Sequence, residues 1–318
     1  MSDVVTLGET MGLFSAAHAG NLDRVTDFRL GIGGAESNVA IGVVRLGRSS
    51  TWIGRVGADG VGDLIHRELR AEGVETSAIV DSSAPTGLMI KHRPIEGVSK
   101  VLYHRQGSAG SRLHPHDIDV ETVRTAKVLH ITGITPALSP SASATIDRAV
   151  RVASEAGIAV SFDVNHRAAL WREGGAAQSH RRLAANATIL FAGLEEARML
   201  IGRSDVGARD AAALLATRGG GADIDVIIKL GEQGCLALID RVEFELPAVP
   251  IHPVDTVGAG DAFVAGYLAE YASDAPATAR LYTAVRAGAY ACLGPGDWES
   301  LPRRPDLALL DGGEPVER

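Results

Sequence analysis

Two carboxylates, Asp255 and Asp261, flank a run of small residues in HPVDTVGAGDAF (252–263). Gly258 and Gly260 accept backbone angles that side chains resist, and Ala259 adds almost no bulk. An apolar helical run follows, so the stretch predicts a helix that begins here. Unpaired N–H groups and the dipole at a helix start attract anions, and small residues let a phosphate come close enough to use them. Asp261 would then stand beside bound phosphate, which a carboxylate repels unless it has another task. Accepting the proton of a hydroxyl that attacks phosphorus is such a task. The alternative is structural: a glycine-rich turn capped by Asp255 at the start of a helix. No GxxxxGK[ST] segment occurs, and no GxGxxG follows a strand pattern. Neither the P-loop nor the dinucleotide fingerprint therefore applies.

These residues need a scaffold, and the hydrophobic pattern supplies one. Short apolar runs at 4–8, 51–57, 126–133, 158–165, 187–193 and 224–231 predict buried strands. Between them, 35–47, 61–73, 141–157 and a segment carrying Glu195 and Glu196 have helical spacing, and two apolar helical runs, 257–271 and 277–293, follow the last strand. Such repeated units imply an α/β fold with a mostly parallel sheet covered on both faces. Ligands bind beyond the carboxyl ends of such strands. Two stretches break the alternation: 12–31, and 86–108, which reads as two strands around a glycine-containing turn. Together they predict a small β-sheet lid over the cleft, or else a plain edge hairpin. All 318 residues are expected to form one domain.

A formal charge of −8 disfavours nucleic acid or an anionic membrane as partner. Cys235 and Cys292 lie far apart and form no disulfide framework or zinc pattern. MSDVVTLGE has no signal-peptide character, so a cytoplasmic location is expected. In LHPHD (113–117), His114, His116 and Asp117 read either as metal ligands or as a proline-led helix start with a capping aspartate.

Residues 255–261, DTVGAGD, match the DTxGAGD signature of the ribokinase-like (PfkB) sugar kinases. Gly33–Asn38 resembles that family's GGxxxN motif, and Lys229–Gly234 its KxGxxG nucleotide loop. The three occur in family order and at family spacing. The resemblance implies a three-layer ribokinase-like fold with a β lid and ATP-dependent phosphorylation of a sugar hydroxyl. It makes Asp261 the general base, with the amides of Gly258, Ala259 and Gly260 holding the γ-phosphate. Asn165, Arg167, Lys229, Gly231 and Gly234 would contact ATP. Mg2+ would bridge the phosphates, its water shell ordered by Asp163 and Asn165. Asp255 would either cap the turn or help hold a monovalent cation such as K+. The lids of this family often clasp one another, which implies a homo-oligomer.

Four further segments, VLYHRQGSAGSRL (101–113), LHITGITPALS (129–139), DVNHRAALW (163–171) and GPGDWESLP (294–302), resemble the 2-keto-3-deoxygluconate kinases of that family. That substrate carries a carboxylate, which a planar guanidinium binds with two hydrogen bonds. The resemblance makes Gly34, Asn38, Tyr103, Arg105, Arg167 and Asp297 substrate contacts. Arg167 has a second candidate role at the ATP phosphates. One departure stands out. The family's NxxE motif appears here as Gly193-Leu194-Glu195-Glu196, so Glu196 keeps the acid, as an indirect metal contact or a helix-start residue, while glycine replaces asparagine. Glu36, inside GGxxxN, is expected to orient its loop. Competing functions are a kinase for fructose, ribose, an inositol-derived keto sugar or the galactonate epimer, and a non-catalytic sensor.

Overall fold

The computed structural model describes residues 1–95, 98–171, 174–217 and 224–311. In chain order the strands are β1 (Val4–Leu7), β2 (Met11–Ala16), β3 (Phe28–Gly33), β4 (Ser50–Gly57), β5 (Glu75–Asp81), β6 (Leu88–Ile95), β7 (Val98–His104), β8 (Val128–Thr132), β9 (Ala159–Asp163), β10 (Ile189–Gly193), β11 (Asp225–Lys229), β12 (Cys235–Ile239) and β13 (Val242–Leu246). The helices are α1 (Ala35–Arg45), α2 (Gly60–Ala71), α3 (Val120–Arg124), α4 (Pro140–Glu155), α5 (Ala176–Ala184), α6 (Leu194–Ile201), α7 (Ala208–Ala216), α8 (Ala259–Tyr271) and α9 (Ala277–Ala291).

A nine-stranded sheet runs β13-β12-β11-β10-β9-β8-β1-β4-β5, parallel from β11 to β5, with β12 antiparallel to both its neighbours. Its central strands are buried on both faces, which explains their unbroken apolar runs. Val4 points into a core with α8 and α9, while Val5 and Leu7 pack on the opposite side with α4 and α6. The result is the three-layer α/β arrangement expected from the alternation. Phe191 of β10 meets Phe263 and Tyr267 of α8 edge to face, at centroid distances of 6.2 and 5.2 Å. Such pairs add about 1 kcal/mol each beyond burial and seat α8 against the strand ends.

The two irregular stretches form a second sheet, β3-β2-β6-β7. Its Met11, Leu13 and Met89 make a small core of their own. The glycine-containing turn expected between its last two strands falls at 96–97, outside the described residues. Asp59, the N-cap of α2, accepts from the N–H groups of Val61 and Gly62 and also from the amide and hydroxyl of Thr86, which leads into β6. One cap thus orders a helix and anchors the second sheet.

Three strands have no counterpart in the expected pattern: β5, β12 and β13. Strand β5 is a sheet edge with mostly exposed or half-buried residues, so no apolar run marks it. The β12–β13 hairpin turns at Asp240 and Arg241, both at positive φ (48° and 65°). Such turns usually carry Asn-Gly or Asp-Gly, and here that signal is missing.

Candidate active site

The carboxyl ends of the parallel strands place Glu9 just past β1, Asp163 at the end of β9, Glu196 just past β10 and Lys229 at the end of β11. Facing them is the start of α8. Its N-cap is Gly258, at φ 80°, where a Cβ would overlap the carbonyl oxygen of Asp297. Glycine is required there both by backbone angle and by space. The N–H groups of Gly258, Gly260 and Asp261 have no partner among the described residues, as expected of a first helical turn. That of Ala259 donates to Thr256 O at 3.3 Å.

Asp261 is buried, and its Oδ2 accepts from Asn38 Nδ2 at 2.8 Å. The same nitrogen donates to Asp297 Oδ2 at 3.2 Å. Two acceptors on one side fix the amide orientation and leave Asn38 Oδ1 buried with no partner among the described residues, a ready acceptor for a hydroxyl. Burial pushes the Asp261 carboxyl up to about 7, helped by Asp297 and Asp163 and opposed by Asn38 and Arg167. Burial also raises Asp297. A carboxylate poised near neutrality beside unpaired amides can take a proton while an anion is held.

The glycines of the GGxxxN motif explain themselves by contact. A Cβ on Gly33 would strike Met89 and Asp297, and one on Gly34 would press on Glu9 O. Glu36 is buried against Gly8 and accepts from the hydroxyls of Thr132 and Thr135 at 2.7 and 2.8 Å, which makes it an organiser of the strand ends.

Arg105 is buried, not solvated. Its Nε donates to Glu9 Oε2 at 2.7 Å, and Ser108 donates to the other Glu9 oxygen. The Arg105 guanidinium lies 5.7 Å from the ring centroid of Tyr103, which is itself exposed. Nη1 of Arg105 has no partner among the described residues. Arg167 is exposed and within electrostatic reach of Asp261. Asn165, at φ 39°, is buried at the end of β9.

Lys229 Nζ donates to both Asp163 oxygens at 2.8 Å. Burial works against the ammonium, but Asp163, Glu196 and Asp261 hold it above the usual lysine range. Glu196 accepts from the N–H of Gly193 and of His166, each at 2.7 Å, so it caps α6 and ties two strand-end loops together. Nothing forces glycine at 193, where φ is −70° and a Cβ would approach nothing closer than 3.5 Å. No cluster of three metal-ligating side chains occurs among the described residues. With Asp163 engaged by Lys229, the residues suit a magnesium ion carried on phosphates and water rather than a protein cage.

Beside the α8 start lies a cleft of about 580 Å³. Lys229, Gly231 and Gly234 line it together with Val249, Ile251 and Phe263, and Gly260 borders it as well. The PfkB-family carbohydrate kinase model matches residues 1–304. This chain belongs to the PfkB family of carbohydrate kinases. A 2-dehydro-3-deoxygluconokinase of Bacillus subtilis is 35% identical over 96% of the kinase and 94% of its own length. A 2-dehydro-3-deoxygalactonokinase of Haloferax volcanii is 30% identical over 97% and 99%. Among solved structures, a 2-dehydro-3-deoxygluconokinase of Thermotoga maritima superposes with a TM-score of 0.85 at 27% identity, covering 98% of the kinase and 100% of that chain. The fold is therefore ribokinase-like and the activity that of a sugar phosphotransferase.

Several site residues escaped the sequence. Glu9 follows an apolar strand and carries no motif, and Lys91 sits in a polar stretch of β6. Asp255, expected either to cap the turn or to help hold a monovalent cation, accepts from Val257 N–H through Oδ1 at 3.2 Å, three residues before the helix N-cap Gly258. Its other oxygen holds Lys91 at 2.6 Å. His114 and His116 belong to no cluster of three metal-ligating side chains among the described residues. Asp117 accepts from the N–H of His114 and binds Arg55, forming a proline-led 3-10 turn.

Proposed function

We propose that the kinase transfers the γ-phosphate of ATP to the 6-hydroxyl of 2-keto-3-deoxygluconate. The observation that carries the choice of an acid substrate is Arg105, a buried guanidinium oriented by Glu9, with Nη1 left without a partner among the described residues. A neutral sugar has no use for such a group, whereas a carboxylate does. Arg167 adds a second positive charge, at the sugar carboxylate or the transferring phosphate. Asn38 Oδ1, Gly34 and Asp297 lie where sugar hydroxyls would be fixed, and Tyr103 would cover the ring.

In this mechanism Asp261 takes the proton of the attacking hydroxyl. The unpaired amides at the start of α8 stabilise the charge that moves onto the phosphate oxygens. Lys229, Gly231 and Gly234 border the nucleotide cleft, and Asn165 would contact the ATP phosphates. Mg2+ would arrive with ATP and offset phosphate charge, with Asp163 and Glu196 acting on its water shell. The β2–β3 and β6–β7 sheet acts as the lid of a one-domain enzyme. Its Phe14, Leu30, Ile90 and Leu102 form one lateral row, with Leu30 and Leu102 exposed, a surface suited to a second copy of the chain.

An ADP-release assay over a panel of 2-keto-3-deoxygluconate, its galactonate epimer, fructose and ribose tests the substrate. The keto acid should exceed both neutral sugars at least a hundredfold in kcat/KM, with phosphorus coupled to the C6 protons of the product. Equal turnover of ribose or fructose refutes the proposal.

A further inference from the structure

Lys91 belongs to β6 of the second sheet, yet its side chain leaves that sheet. Its ammonium donates to Asp255 Oδ2 at 2.6 Å and to the carbonyl oxygen of Gly296 at 3.0 Å. The ion pair is almost fully enclosed, with side-chain exposures of 7% and 9%. Three parts of the chain meet at this nitrogen: the second sheet, the turn before α8, and the loop that carries Asp297. That loop also presses on α8, since Asp297 O fills the space beside Gly258. Asn38 then connects Asp297 to Asp261. Whatever sets the position of Asp255 and Gly296 therefore sets the helix start and the base.

A carboxylate oxygen and a carbonyl oxygen converging in a buried place are ligands for a small monovalent cation. Here a lysine ammonium takes both, so Asp255 does not fit the role of a K+ ligand. Left uncompensated, Asp255 would also oppose an anion at the start of α8. We infer that Lys91 is a built-in monovalent cation, a positioning residue that fixes the α8 start and frees the kinase from any need for K+. Because Lys91 lies on β6, this charge is in place only when the second sheet is docked. The inference rests on the kinase activity and not on the choice of sugar.

The test compares the parent with Lys91→Ala in buffers where K+, NH4+ or tetramethylammonium is the only monovalent cation, at equal ionic strength. The acceptor is whichever panel sugar is turned over fastest. If the keto-acid proposal fails, the acceptor changes but the cation comparison stands. The parent should be indifferent to the cation. Lys91→Ala in tetramethylammonium should lose about tenfold or more in kcat, the scale expected for a misplaced reacting group. K+ or NH4+, small enough to enter, should restore it. K+ should also raise the melting temperature of Lys91→Ala and leave that of the parent unchanged. A K+-dependent parent, a fully active variant without K+, or a folded variant that no small cation restores each overturns the inference. If Lys91→Ala fails to fold, Lys91→Met keeps the volume without the charge. It should then be slow and indifferent to K+, and an active Lys91→Met overturns the inference.

Discussion

Replacing Asp261 by asparagine removes a charge while keeping the shape. In the folded kinase the Asp261 carboxyl titrates at about 7, against 3.8 ordinarily. A rise of about three units corresponds to about 4 kcal/mol, at 1.36 kcal/mol per unit. The native state binds the extra proton between these values, so stability falls as pH rises from about 4 to about 7 and is level above that. At pH 8 the ionised parent bears this cost, and Asp261→Asn does not. The variant should therefore be more stable at pH 8 by up to about 4 kcal/mol, roughly 8 °C in melting temperature for a chain of this size. At pH 4 the difference should vanish. Turnover should move the opposite way, falling about 10²–10⁴-fold on loss of the base. In the parent, kcat/KM should drop about fivefold from pH 7 to pH 6, because the ionised fraction of Asp261 falls from about one half to about a tenth. Melting curves at pH 4 and 8, paired with the ADP-release assay, measure both. A variant that keeps a tenth of parental turnover refutes the base assignment. A stability difference independent of pH refutes the burial argument.

Arg105→Lys should raise KM for an acid substrate about tenfold and leave a neutral sugar unaffected, because lysine keeps the charge but loses the fork. Arg105→Ala is the poorer probe, since it strands Glu9, whose side chain is 1% exposed, and should cost about 3–5 kcal/mol in a denaturant titration. Lys229→Met strands Asp163 in the same way, so a lowered melting temperature should accompany a higher KM for ATP. Arg167→Ala, at an exposed position, should leave stability within about 0.5 kcal/mol while cutting kcat/KM about a hundredfold. A variant with parental kinetics would remove Arg167 from the site.

The sequence by itself determined the local requirements. Glycine at 258 serves one turn, the 255–261 stretch opens one helix, and the apolar runs each bury one strand, so contiguous residues carry each signal. The hairpin at Asp240 and Arg241 shows the limit, because Arg241 takes a positive φ where glycine would be the usual signal. Side-chain partnerships were decided only in three dimensions. Arg105 meets Glu9 across 96 residues, Lys91 meets Asp255 across 164, and Asn38 meets Asp261 across 223. An arginine on a strand looks the same in sequence whether it faces water or a buried glutamate. Burial makes the difference, since a charge taken out of water needs a partner, and only the folded chain brings that partner near.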